Sequence, residues 1–417
     1  MTLKNIFYAQ SGGATAVINA TACGVIQTAR RYAGKIGKVY AGKNGIVGAL
    51  KGQLIDTSHE SDEAIAALYH TPACAFGSCR HRLKSLEESR EEYYRLIEVF
   101  KAHHIGYFLY NGGNDSQDTT HKIAQMSASL NYPLTCIGLP KTIDNDLPHT
   151  DTCPGFGSVA KYVATSIREA SLDVASMSAT STKVFILEVM GRHAGWIAAA
   201  SGLASQQAGD APHIILFPEI PFEAGRFMAQ VNATIQRHGF CAIVVSEGVK
   251  TPEGQFLSSA DLSDAFGHSR LGGVAPVIAH LIKQEGGHKC HWAVANYLQR
   301  SARHIASQTD VEQAYALGQA AVERALIGSH GVMLTIERLQ QSPYRWQVGE
   351  VPLSQVANAE RSMPLDFIRP DGFHITAACR DYLLPLIQGE SYPPYVDGLP
   401  AYARLKNQLV ESVPCPS

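Results

Sequence analysis

The sequence contains no GxxxxGK[ST] segment, which excludes a P-loop nucleotide site. It has nine cysteines but no CxxC pair. The cysteines are scattered, several inside apolar runs, as at Cys136 and Cys241. This suits reduced thiols that pack as small hydrophobes in a cytoplasm. His288, Cys290 and His291 form a short tract of ligating types, but no second cluster completes it, which argues against a structural metal there. Charge of one sign is also lacking. With 35 Lys and Arg against 37 Asp and Glu, the net charge is −2. There is thus no general electrostatic case for a nucleic acid or an anionic membrane partner, and any anion site must be local. No apolar run is long enough to span a bilayer. The start, MTLKNIFYAQ, turns polar too soon to read as a signal peptide. Low-complexity segments and internal repeats are absent.

What is present reads as globular: 45% of residues are apolar and 17% charged. A chain of 417 residues exceeds one ordinary core, so two domains are expected. Apolar β-branched and aromatic runs recur, each followed by glycines or polar residues and then a helical pattern. The predicted strands are Lys4–Ala9, Gly37–Tyr40, Ile105–Tyr110, Pro133–Leu139, Lys183–Met190, His213–Phe217 and Phe240–Ser246. The predicted helices include Ala14–Arg31 and the amphipathic Glu87–His103. This alternation predicts an α/β fold of two doubly wound, Rossmann-like parallel-sheet domains. The first domain is predicted over 1–151, completed by 300–338, and the second over 152–299. The extension 340–417 has no clear period and receives no assignment. The polar motifs fall at strand ends in both halves, which leads us to expect an active site in the cleft between the domains.

Ser11-Gly12-Gly13 stands at a strand-to-helix junction, where glycines admit an anion and a helix N-terminus offers free N–H groups. A tight turn explains it as well. Gly112-Gly113-Asn114-Asp115-Ser116 repeats the arrangement, and two such loops favour a polyphosphate. Arg80, in FGSCRHRL, reads either as a phosphate clamp or as a surface arginine. Gly155–Ala160 fits a dinucleotide fingerprint but follows a Pro-rich loop instead of a strand, the wrong context. The stretch 140–157, PKTIDNDLPHTDTCPGFG, places Asp144 and Asp146 two apart in an extended loop. One can act as base while the other binds a metal or hydroxyl; an ordinary polar turn is an equal reading of the segment alone. Met190-Gly191-Arg192 ends an apolar strand with a cation suited to a phosphoryl group or to a structural salt bridge. Tyr297 and Arg300 share a face if helical.

Taken together and in this order, these motifs resemble the phosphofructokinase family over about three quarters of the chain, from Asn5 to Arg303. TIDND (Thr142–Asp146) combined with MGR (Met190–Arg192) is the specific part. The resemblance implies transfer of a phosphoryl group to the 1-hydroxyl of fructose 6-phosphate, with Mg²⁺ as cofactor, at the glycolytic step. It makes Asp144 the general base. Thr142, Ile143 and Asp146 would hold the sugar or the metal-bound phosphate. Met190, Gly191 and Arg192 would contact the sugar phosphate and the transferring group, Glu247 the sugar hydroxyls, and Tyr297 and Arg300 the 6-phosphate. Gly12, Gly13, Arg80 and Gly112, Gly113 and Ser116 would hold the donor, and Asn114 and Asp115 the metal. Lys183 sits where the family often has an arginine reaching into a neighbouring subunit, which implies a homodimer or homotetramer. The segment Lys289-Cys290-His291 lacks another such arginine.

Two positions bear on the donor. ATP-using members read GGDGS and GTIDND; this chain has Asp115 and Lys141 in place of the two glycines, and HAGW at His193–Trp196, as in the pyrophosphate-dependent branch. A carboxylate at Asp115 would repel a nucleotide's α-phosphate. Two unit charges at about 4 Å with an effective dielectric near 20 repel by about 4 kcal/mol, roughly a thousandfold in affinity. Lys141 would place a cation beside the transferring phosphate. Asn114 replaces an aspartate that many members use for metal. An amide cannot neutralise Mg²⁺, which shifts weight to Asp115 or Asp144. The expected activity is therefore reversible, pyrophosphate-dependent and cytoplasmic. An ATP-dependent enzyme and a catalytically silent sugar-phosphate-binding subunit are the alternatives.

Overall fold

The structure is a computed structural model and describes residues 3–85, 87–259 and 273–411. The apolar runs become strands: β1 (Lys4–Gln10), β2 (Ile36–Gly42), β3 (Leu54–Asp56), β4 (Ile105–Gly112), β5 (Thr135–Pro140), β6 (Val184–Val189), β7 (Ile214–Leu216), β8 (Cys241–Ser246), β9 (Cys290–Val294), β10 (Val332–Gln340) and β11 (Arg345–Pro352). The chain divides into two compact units. One comprises Met1–Ser158, Ser301–Glu360 and Gly389–Ser417; the other comprises Val159–Arg300 and Arg361–Gln388.

In the first unit the strand order is β11-β10-β5-β4-β1-β2-β3. The five central strands are parallel, and the edge strands β3 and β11 are antiparallel. Parallel strands covered on both faces need apolar residues at successive positions, hence the unbroken runs of β1 and β4. Alternate residues of β1 serve two cores. Ile6 and Tyr8 pack with Val25, Ile26 and Leu317. Phe7 and Ala9 pack on the other face with Phe100 and Phe108. Each fully buried phenylalanine contributes on the order of 2 kcal/mol. The helix Gln308–Leu326 lies against Ile18–Arg31. Their contact is glycine-lined: a Cβ on Gly24 would sit 2.3 Å from the Tyr315 carbonyl, and one on Gly318 2.1 Å from that of Thr21.

The second unit has four parallel strands in the order β7-β8-β6-β9. Its core gathers Val184, Ile186, Ile243, Phe227 and Ile278. Residues 361–388 join this unit, and Phe373 accepts the Ile215 N–H at 2.8 Å.

The two parallel α/β sheets agree with the expected fold class. Three local differences have physical causes. Helix Ile18–Arg31 starts four residues later than predicted, because the Thr15 hydroxyl oxygen accepts from the N–H groups of Val17 and Ile18 at 3.2 and 2.9 Å. Strand β9, sequence CHWAV, is an edge strand with exposed residues, so no apolar alternation marked it. Strand β11 lies in the unassigned extension; only Gly349 and Val351 are buried in it, which leaves little periodic signal.

Candidate active site

The motif loops leave the carboxyl ends of parallel strands. In the first unit, β1 runs into Ser11-Gly12-Gly13, β4 into Gly113–Ser116, and β5 into Lys141. Neighbouring parallel strands bring these loops together. Ser11 N–H donates to the Asn111 carbonyl at 2.9 Å, Gly12 N–H to that of Cys79 at 2.9 Å, and Lys141 N–H to that of Gly112 at 3.1 Å. Gly12 has φ of 75°, a conformation open to glycine. A Cβ there would lie 3.2 Å from Lys141 Nζ. At Gly112 a Cβ would meet Ser116 Oγ at 2.0 Å.

These loops enclose a cavity of about 360 Å³, lined by Gly12, Gly13, Arg80, Gly113 to Ser116, Lys141, Thr142 and Asp146. The buried Lys141 donates its ammonium to the Gly13 carbonyl at 2.7 Å. Asp115 is largely exposed, with Arg82 Nε 3.8 Å from its carboxylate. Helix Asn114–Ser129 begins directly after Gly113, so its N-terminal N–H groups face this loop, as an anion site requires. By contrast, the late start of helix Ile18–Arg31 sets its N-terminus apart from Gly12 and Gly13.

The acidic loop is shaped by its middle asparagine. Asn145 has φ of 55° and is fully buried, and its Oδ1 accepts the Cys153 N–H at 3.0 Å. Asp144 N–H donates to Thr142 Oγ1 at 3.0 Å. Ile143 is buried. The loop's other end is held by Asp310, whose carboxylate accepts from Gly155 N–H, Ser158 N–H and Ser158 Oγ at 2.9, 2.9 and 2.5 Å. Asp310 thereby supplies an anion at the N-terminus of helix Phe156–Met177. Asp151 is structural: it forms an ion pair with Arg338 at 3.0 Å.

Asn114 Nδ2 donates to Asp146 Oδ2 at 3.2 Å. The Asn114 carbonyl oxygen Oδ1 and the second Asp146 carboxylate oxygen Oδ1 are buried without a hydrogen-bond partner. Burial raises the Asp146 carboxyl above its ordinary value, and hydrogen bonds from Thr142 and the backbone, with the Lys141 cation, offset only part of this. Two adjacent orphaned oxygens fit a hard cation. Among the described residues no cluster of three His, Cys, Asp or Glu side chains can hold a metal alone. The fit is therefore to a cation that takes its remaining ligands from elsewhere.

In the second unit, Met190, Gly191 and Arg192 follow β6, and Glu247 follows β8. Ser246 Oγ donates to the Gly191 carbonyl at 2.6 Å. Met190 N–H donates to Gln299 Oε1 at 3.3 Å, which ties this loop to helix Asn296–Ser301. Gly191 has φ of 126°, and a Cβ would lie 2.8 Å from the Ala194 carbonyl. The exposed Arg192 guanidinium lies 5.1 Å from the Phe256 ring centroid. Arg300 stacks on Tyr297 at 3.9 Å. Lys183 donates its ammonium to the Ser178 carbonyl of its own chain. His288 bonds Asn232 at 3.0 Å.

Sequence reasoning missed Arg82 and Glu360, which also line the donor-loop cavity. Arg82 stands two residues after Arg80 in a basic run, a signal that could have found it. Glu360 comes from the unassigned extension, where nothing marked it.

The family model "Phosphofructokinase" matches residues 5–325. The chain belongs to the phosphofructokinase family. This phosphofructokinase is 63% identical over 410 residues to the pyrophosphate–fructose 6-phosphate 1-phosphotransferase of Methylococcus capsulatus, covering 98% of each chain. It is 62% identical to the enzyme of the same name from Halomonas elongata, over 99% of this chain and 98% of that one. A solved pyrophosphate-dependent phosphofructokinase from Marinobacter aquaeolei shares 62% identity with a TM-score of 0.91, over 99% of both chains. These likenesses favour the pyrophosphate-dependent branch over both alternatives.

Proposed function

We propose that this chain transfers a phosphoryl group from pyrophosphate to the 1-hydroxyl of fructose 6-phosphate, giving fructose 1,6-bisphosphate and phosphate. The observation that carries this reading is that Asp115 and Lys141 line one cavity with both glycine loops. Asp115 disfavours a nucleotide there by charge. Lys141 faces the same space with a buried cation.

Asp144 takes the proton of the 1-hydroxyl. The sugar oxygen bonds to the transferred phosphorus as the bond to the bridging oxygen breaks and phosphate departs. Lys141 and Arg192 counter charge on the transferring group. Gly12, Gly13, Arg80 and Gly112 to Ser116 hold the donor. Glu247, Tyr297 and Arg300 hold the sugar phosphate, with Met190 and Gly191. Bound Mg²⁺ neutralises diphosphate charge, and Asn114 and Asp146, with Asp115, would hold it. Because a phosphoanhydride is spent without a nucleotide, the reaction runs in both directions, at the phosphofructokinase step of glycolysis and gluconeogenesis.

The reading extends to a cytoplasmic homodimer or homotetramer. Cys23, Cys79, Cys136, Cys241, Cys290 and Cys379 carry free thiols, which suits a reducing compartment. Trp292, Val294 and Leu298 are exposed on and just after the edge strand β9, a patch that suits a second copy. No described helix is long and apolar enough to cross a membrane.

The test supplies fructose 6-phosphate and Mg²⁺ with either pyrophosphate or ATP. Product with pyrophosphate alone is expected. Product with ATP alone would overturn the donor assignment, and product with neither would revive a silent subunit. Sedimentation gives the oligomeric state.

A further inference from the structure

Gln117 is fully buried in the first turn of helix Asn114–Ser129. Its Nε2 donates to two main-chain carbonyls, that of Gly112 at 2.9 Å and that of Leu139 at 3.1 Å. Gly112 is the last residue of β4, and Leu139 is the last but one of β5. Both partners are acceptors, so the side chain must present its NH₂ to them. Its Oε1 is buried without a partner. The room for it exists because residue 138 is glycine: a Cβ there would lie 1.9 Å from that oxygen. The amide therefore spans the ends of two adjacent strands, at the points where one becomes the donor loop and the other becomes Lys141 and the acidic loop.

We propose that Gln117 is a positioning residue for phosphoryl transfer, which sets the spacing between the Gly112–Ser116 loop and Lys141–Asp144 without touching substrate. Lys141 N–H also bonds the Gly112 carbonyl, and the ladder pairs Gly112 with Pro140, so the amide adds two side-chain bonds that lock the last step of this pairing and are lost with it. In-line transfer is sensitive to such a change, since a shift near 1 Å costs about a hundredfold in rate. The sugar-binding residues of the second unit are not anchored by Gln117. Loss of the bridge should therefore act on the donor side alone.

The inference rests on the assignment of these loops to pyrophosphate, so Lys141→Ala is measured in parallel. Gln117→Leu removes both donors, and Gln117→Glu keeps the shape but, when ionised, donates nothing. Both variants should lower kcat by about tenfold to a hundredfold and raise KM for pyrophosphate, with KM for fructose 6-phosphate within twofold of wild type. Gln117→Glu should regain rate as pH falls and the carboxyl gains one O–H donor, while Gln117→Leu does not. If kcat falls and both KM values rise together, in step with thermal stability, and no pH rescue appears, the role is merely structural and the proposal is wrong. If Gln117→Leu leaves pyrophosphate kinetics unchanged while Lys141→Ala loses turnover, the bridge is irrelevant and the loop assignment stands. If Lys141→Ala keeps turnover, the loop assignment itself fails. Should Gln117→Leu not fold, Gln117→Glu and its pH profile decide alone.

Discussion

The side-chain oxygen of Asn145 accepts the N–H of Cys153 at 3.0 Å, and this contact closes the loop that carries Asp144 and Asp146. Asn145 is held in the left-handed region, where asparagine is tolerated better than most residues. Asn145→Ala loses the acceptor for a buried N–H and takes on backbone strain, and should destabilise the protein by about 2 kcal/mol or more. Asn145→Gly keeps the backbone conformation and loses only the bond, so it should cost less. Denaturant unfolding measures both. Equal losses would mean that the backbone conformation contributes nothing.

Asp144 follows the turn made by Thr142 and precedes the one made by Asn145. Asp144→Asn keeps the size and removes the base. It should lower kcat by at least about a hundredfold with little change in KM for fructose 6-phosphate. Near-normal turnover would sink the assignment.

Asp115 and Lys141 share one cavity, so the donor preference should depend on both. Asp115→Gly with Lys141→Gly should lose most pyrophosphate turnover and gain measurable turnover with ATP. Asp115 is largely exposed, so water screens the repulsion removed towards about 1 kcal/mol. A double variant with no ATP activity at all would show that charge and space at these two positions do not set the donor.

Asn114 and Asp146 offer the two orphaned oxygens. Chelating Mg²⁺ should abolish turnover. Asp146→Asn should raise the Mg²⁺ concentration needed for half-maximal rate, and should weaken Mn²⁺ binding measured by calorimetry with pyrophosphate present. Burial raises the Asp146 carboxyl, and only the ionised form binds metal. The Mg²⁺ requirement should therefore climb on acidification at a higher pH than for an ordinary aspartate. Unchanged Mn²⁺ affinity in the variant would place the metal elsewhere.

His213 precedes β7, and its Nδ1 accepts the Ala242 N–H at 3.0 Å. Burial, followed by the neighbouring His238, depresses it from 6.5 to about 4. Above pH 6.5 the ring is neutral folded and unfolded, and the group makes no difference. Between 6.5 and 4 only the unfolded chain takes up the proton, so stability is lost as pH falls, by up to about 3 kcal/mol. His213→Gln should flatten this part of the stability–pH curve in denaturant titrations. An unchanged slope would assign the acid loss to other groups.

Much of the fold was legible because parallel strands covered on both faces must be largely apolar, and β1, β4, β5 and β8 carry that pattern in apolar runs, with β6 interrupted only by Glu188. The motifs were legible for a related reason: the glycines at 12 and 112 and the acidic loop fall directly after such strands, where an α/β sheet exposes its ligand-binding ends. What stayed hidden lies at edges and in side-chain contacts. Strands β9 and β11 are half-exposed, so no periodic pattern marks them. Glu360 reaches the cavity from a segment whose own sequence is unremarkable. The sequence by itself determined which residue types stand at the strand ends, Asp115 and Lys141 among them. Only the tertiary structure decided that the buried oxygens left without a partner are those of Asn114 and Asp146, that Asp151 and Asp310 serve the scaffold, and that Gln117 joins β4 to β5. Those roles depend on distances between residues far apart in the chain, and such distances are set by packing, which no local spacing encodes.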